Sequence, residues 1–277
     1  MPIATVAHSE HLKLIDGRWI LHAASGSSPL RVELPAGAHA TILEDGAGVG
    51  CDVQMGVGAK LEWVRWQHEV SSENAAQNIS LTQDSQLKWT NVQFGCEALN
   101  NPVHVRLNGV QAAAHMHGIS FGQKSEQVQN QICVEHLAPH TESAQLFKSV
   151  LRDQAKSTFA GKIVIRREAQ KSDARQRHQS LNFHSTAQSI TRPELEVEAD
   201  DVKAAHGATV GRLNEEELFY LQTRGISRDQ GMGLLARAFV QEVLGTIQNP
   251  AIYSFIDKEL HARIGEFLRA MEKGPQS

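Results

Sequence analysis

Two histidines, His115 and His117, stand one residue apart in "GVQAAAHMHG". On a strand, side chains alternate between the two faces, so both imidazoles would leave from one side, an arrangement that suits a metal ion. A second cluster is "CVEHLAPH", with Cys133, Glu135, His136 and His140. As a strand it would place Cys133 and Glu135 on one face and His136 on the other. A thiolate there could bind iron or zinc or carry sulfur. A third candidate is His206 in "DDVKAAHGATVGRLNEEELFYLQTRGI", set among small residues where strand-like sequence meets an acidic helix start. It reads either as a ligand or as a histidine packed at that junction. The chain has no G-x4-G-K-[ST] loop and no H-E-x-x-H, so P-loop and zincin chemistry are set aside.

The elements that must position these groups change in kind near residue 213. Before it, short alternating runs such as "KLEWVRW", "VHVRLNGV", "KIVIRRE" and "ELEVEADDV" recur between Gly, Asn, Asp and Pro. That pattern predicts many short strands, in a sandwich, a barrel or a solenoid. Small residues at the bends favour a β-helix, although no clean repeat period is visible. The segment "TESAQLFKSVL" is ambiguous between strand and helix. "GVGCDVQMGVG" opens no helix and reads as turns, not as a phosphate cradle.

After Leu213 the period is helical. Asn214 with Glu217 three residues on resembles a capping box, and Glu215 and Glu216 suit the positive helix end. Gly225 is placed to end that helix. Ser227 caps a second helix, and Asn249-Pro250 begins a third. The expected organisation is a β core over residues 1–212 and a small helical domain over 213–277.

With 41 % hydrophobic residues among 277, a sizeable core is available and disorder is not indicated. The net charge of −4 and the acidic balance of residues 1–150 argue against a nucleic-acid partner. The basic run from Lys162 to His178 also holds Glu168 and Asp173 and reads as a solvated face. No segment is apolar over the length needed to span a bilayer, and "MPIATVAHSEHLKLIDG" lacks a signal-peptide pattern. Three separated cysteines, Cys51, Cys96 and Cys133, give neither a disulfide framework nor a zinc motif. A cytoplasmic setting is expected.

Several motifs then coincide in order: "VEHLAPHTES", "LFKSVLRD", F-x-G-K-I-V over Phe159 to Val164, "AQKSDARQ", "RPELEVEADDVKAAHGATVG" and "LFYLQTRGI". Over about Cys133 to Leu244 the chain resembles the SufB/SufD family of iron–sulfur cluster assembly proteins, on the SufD side. The resemblance implies a mainly β protein with a right-handed β-helix core and a C-terminal helical domain. It implies a non-catalytic scaffold without a tightly bound cofactor. It also implies a SufC-type ATPase partner on the C-terminal helices, pairing with a SufB-type subunit or a second copy through the β-helix, and a transient Fe–S cluster or iron in the complex. His206 matches the family histidine of "HGATVG" implicated in cluster assembly. Two departures stand out: Ala204 occupies a position where SufD-like sequences commonly have Cys, and the family's N-terminal helical region has no counterpart here. The alternative function is a cupin-like metal enzyme built on His115 and His117, whose "GVQAAAHMH" follows the G-x5-H-x-H opening of that site. Against it, Glu126 lies too far along to serve as the site's carboxylate.

Overall fold

The computed structural model describes residues 5–7, 12–15, 18–23, 30–46, 50–68, 72–74, 76–94 and 98–269. They form eighteen strands and three helices. The first strands are β1 (Thr5–Ala7), β2 (Leu12–Ile15), β3 (Arg18–Ala23), β4 (Leu30–Leu34), β5 (His39–Gly46) and β6 (Cys51–Met55). Next come β7 (Lys60–His68), β8 (Ser72–Asn74), β9 (Gln77–Leu81), β10 (Gln86–Phe94), β11 (Ala98–Leu107) and β12 (Ala113–Gly122). Then follow β13 (Gln127–His136), β14 (Glu142–Leu151), β15 (Lys156–Ile165), β16 (Asp173–Asn182), β17 (Gln188–Val197) and β18 (Lys203–Arg212). The helices are α1 (Glu215–Thr223), α2 (Arg228–Leu244) and α3 (Pro250–Arg269).

The strands stack into two sheets. One runs β1-β4-β6-β9-β11-β13-β15-β17, with β8 beside β11, and the other runs β18-β16-β14-β12-β10-β7-β5-β3-β2. From β9 onward the chain alternates strictly between sheets, giving about five turns of a parallel β-solenoid. Only β1–β4 and β2–β3 pair antiparallel among the described residues. The segment "TESAQLFKSVL" is resolved as strand β14, buried along most of its length. A double antiparallel cupin barrel is therefore ruled out as the frame for His115 and His117: a parallel ladder cannot build it.

A stack of one repeated corner turns the chain from the first sheet to the second. Gly37, Gly58, Asp84, Gln111, His140 and Lys171 all have left-handed φ, between 56° and 68°. Each amide in this column donates to a carbonyl of the next rung, as Asp84 N does to Val110 O and His140 N to Gln170 O. That ladder offsets the steric cost of a left-handed residue, about 1–2 kcal/mol outside glycine. The next residue turns inward and is small: Ala38, Ala59, Ser85, Ala112, Thr141 and Ser172 are each at most 1 % exposed.

The interior holds Leu, Val, Ile, Met, Trp63, Trp89, Phe147 and Phe159 in one continuous cluster. The helices do not stand apart from it as a separate body. One apolar cluster contains Val64, Trp66, Val92, Phe94, Ile119, Phe121, Leu146 and Val150 from the solenoid's outer face together with the buried sides of α2 and α3. Phe94 stacks on Phe121 at 4.1 Å, and Phe267 meets Phe121 edge-on at 5.4 Å. Polar anchors flank this seam. Glu62 accepts from the backbone N–H of Gln248 and Asn249, just before α3. Lys148 Nζ, buried with its side chain, donates to Phe239 O at 2.8 Å and lies 2.8 Å from Glu242, which also pairs with Arg177.

The helix caps follow their sequence signals. Asn214 accepts from Glu216 N and Glu217 N, Ser227 forms a capping box with Gln230, and Asn249 accepts from Ala251 N and Ile252 N. Gly225, at φ 82°, follows the end of α1.

Candidate functional site

The solenoid ends on an uncovered rung. β17 and β18 are the terminal strands of the two sheets, so the inward faces of these strands have no further coil above them. Ala204 packs against the small cluster of Ile163, Ile165, Ala174 and Ala199, which fixes its side chain as inward-facing. By the two-residue alternation of a strand, His206, Ala208 and Val210 share that face. His206 is exposed and makes no hydrogen bond or ion pair with the described residues. On the same terminal strands Leu195, Val197 and Val210 are 37 %, 41 % and 55 % exposed.

Below His206 the interior is polar. Gln176, in register with it, is 3 % exposed and donates to Gln145 Oε1 at 2.9 Å. Gly161 on the facing sheet makes room for it: a Cβ there would sit 2.2 Å from Gln176 Nε2. His178 lies against Phe159 with ring centres 4.9 Å apart and is bonded to Thr191 Oγ1 at 2.8 Å and Ser149 Oγ at 3.3 Å. Burial holds His178 down at about 4, so it is a neutral imidazole.

The other candidates are placed as follows. His115 and His117 do share the outer face of β12. His115 sits 3.2 Å from Glu142, while His117 lies under the seam with α2, where burial, then the charges of His115 and Lys88, hold it at about 4. "CVEHLAPH" splits three ways. Cys133 and Glu135 face outward on β13. His136 faces inward, fully buried between Thr141 and Ser143 at 2.8 Å each, and burial lowers it to about 4. His140 is a corner residue of the left-handed column, exposed and remote from Cys133's face. No three His, Cys, Asp or Glu side chains among the described residues converge in a metal-binding group.

One row escaped the sequence reading. His104, Cys133 and Lys162 are neighbours in register on β11, β13 and β15. Their equal 29-residue spacing was the available signal, legible only once the coil length was known.

A family model described as SUF system FeS cluster assembly, SufBD core domain, matches residues 24–239. The chain is 27 % identical over 248 residues to iron-sulfur cluster assembly protein SufD of Escherichia coli, covering 86 % of this chain and 58 % of the relative. It is 29 % identical over 186 residues to an iron-sulfur cluster assembly SufBD family protein of Mycobacterium leprae, covering 64 % and 47 %. A SufBD family protein of Synechocystis matches at 26 % over 200 residues, 71 % of this chain and 44 % of the relative. The chain thus spans roughly half the length of these curated relatives. With the core-domain match covering most of its solenoid and reaching into α2, the chain belongs to the SufBD core family of the SUF iron–sulfur cluster assembly system.

Proposed function

We propose that this chain is a SufD-like, non-catalytic scaffold subunit of an iron–sulfur cluster assembly complex. The open last rung supports this most directly: an exposed histidine on the terminal strand of one sheet, with Leu195, Val197 and Val210 also open on the terminal strands of the two sheets. A SufB-type subunit or a second copy docks there, and His206 contributes one ligand to a transient iron or Fe–S species held between the two subunits. With Ala204 beside it, the chain brings no thiol to that position, so the thiolates come from the other subunit. β18 runs into α1 through Leu213 and Asn214, so the strand that bears His206 is joined directly to the helices.

The ATPase-facing surface is assigned to the exposed side of the helices, where Phe219, Tyr220 and Leu234 are 68 %, 57 % and 49 % exposed. A SufC-type ATPase that closes on ATP would bias the rung between two arrangements through its different affinity for them. Deleting the helices is a poor test, because it would strip the cover from Trp66, Phe94 and Phe121 and unfold the core. Point changes are cleaner. Phe219→Asp with Leu234→Asp should leave the fold intact and abolish co-elution with the ATPase. Retained co-elution would remove this face from the proposal.

A further inference from the structure

α2 meets the second sheet across an apolar seam that is crossed by a group of three charges. Lys148 leaves the outer face of β14 beneath α2, with its side chain 6 % exposed. Its ammonium donates to Phe239 O in mid-helix at 2.8 Å, lies 2.8 Å from Glu242 Oε2 and stands 4.8 Å from the centre of the Phe239 ring. The other carboxylate oxygen of Glu242 accepts from Arg177 on β16. Arg177 is in register with Gly207 on β18, the residue after His206. One carboxylate of α2 is therefore held by two strands, and the second of these pairs with the strand that carries His206.

Apolar contact is non-directional, so the seam by itself specifies the rotation and sliding of a helix only weakly. An ammonium has three directed N–H donors, and taking it out of water is costly unless they are met. Few placements of α2 meet them. The net stability of such a group is small, because an apolar side chain of similar volume commonly replaces a buried ion pair without loss. What the group supplies is direction. Lys148, then Arg177, hold the Glu242 carboxyl below its ordinary value, so it is charged at neutral pH.

We propose that Lys148 is a positioning residue. Through Phe239 O and Glu242 it sets α2 in one seat on β14 and β16, so that a change imposed on the helices by an ATP-driven partner reaches the strand bearing His206. The coupling rests on the scaffold reading above, and the seat does not.

The test compares hydrogen exchange in the full wild-type chain and in Lys148→Met. In the free chain, Lys148→Met should keep its thermal midpoint within a few degrees, yet its α2 amides should exchange about tenfold faster. Lys148→Arg, which keeps the charge and the donors, should restore slow exchange. If Lys148→Met fails to fold, Glu242→Gln, which weakens the group from its exposed side, carries the same prediction. Unchanged α2 exchange overturns the seat. With a SufC-type ATPase from the same genome, Lys148→Met should still co-elute and should lose the ATP-dependent change in β18 exchange expected of the wild type. A wild-type β18 that does not respond to ATP, or a Lys148→Met β18 that responds equally, overturns the coupling. An ATPase that does not bind the wild-type chain removes the scaffold reading and the coupling with it, while the seat is still decided by the free-chain measurement.

Discussion

His206 lies directly in register with Gln176, and the two differ in surroundings: Gln176 is buried in the last covered rung, whereas His206 is exposed on the first uncovered one. The covered interior of the solenoid ends between these two side chains. Below it, polar groups are held by hydrogen bonds inside the coil. Above it, the side chain has no hydrogen-bond or ion-pair partner among the described residues.

For that reason His206→Ala should leave stability within about 0.5 kcal/mol of wild type, as for an exposed side chain without partners. Iron and sulfide recovered with the reconstituted complex should fall. Thermal unfolding and iron–sulfide analysis check the two halves separately. Unchanged recovery would return His206 to the surface as an ordinary residue.

Gly161 should tolerate no larger residue. In Gly161→Ala the new Cβ would meet the Gln176 carboxamide, which is pinned by Gln145. The expected cost is about 1–3 kcal/mol, read as a lower urea midpoint. Adding Gln176→Ala, which removes the clashing group, should recover part of the loss. A double variant no better than the single one would place the strain elsewhere.

Two buried histidines, His136 and His178, and the half-buried His117 set the acid limit. His117, His136 and His178 are each held at about 4 by burial, against 6.5 for a free imidazole. Between those values the unfolded chain binds more protons than the folded one, so stability rises with pH across the window. It is complete above about 6.5 and is lost progressively as pH falls towards 4. Each histidine contributes on the order of 2–3 kcal/mol to that slope. Urea midpoints measured at pH 7.5, 6 and 5 should fall in that order. Equal midpoints would contradict the neutral, buried state assigned to these rings.

Much of this architecture was legible in the residues. The change from strand to helix at Leu213, the caps at Asn214 and Ser227, and the shared face of His115 and His117 all follow from local rules: side-chain alternation and unsatisfied backbone N–H groups at helix starts. The coil period was not legible, because its length drifts. The first residues of successive strands in the second sheet, Lys60, Gln86, Ala113, Glu142, Asp173 and Lys203, are 26 to 31 residues apart. The better signal was the corner, a left-handed residue followed by a buried Ala, Ser or Thr. Asp, Gln, His and Lys stand there as well as Gly, which hid it. His140 looked like a ligand for the same reason. Cross-rung neighbours such as His104, Cys133 and Lys162 depend on register, which no local pattern specifies. The merging of α2 and α3 with the solenoid face is likewise a tertiary fact: their apolar stripes announced burial without naming what they pack against.

The central claim, that this chain is an assembly scaffold worked by an ATPase through its helices, is tested most directly by co-expression with a SufC-type ATPase from the same genome. Size-exclusion chromatography and ATP turnover are then measured on the purified material. The account predicts co-elution, a raised turnover rate, and loss of both in Phe219→Asp with Leu234→Asp. An ATPase that elutes alone with unchanged turnover, beside a folded wild-type chain, would contradict it.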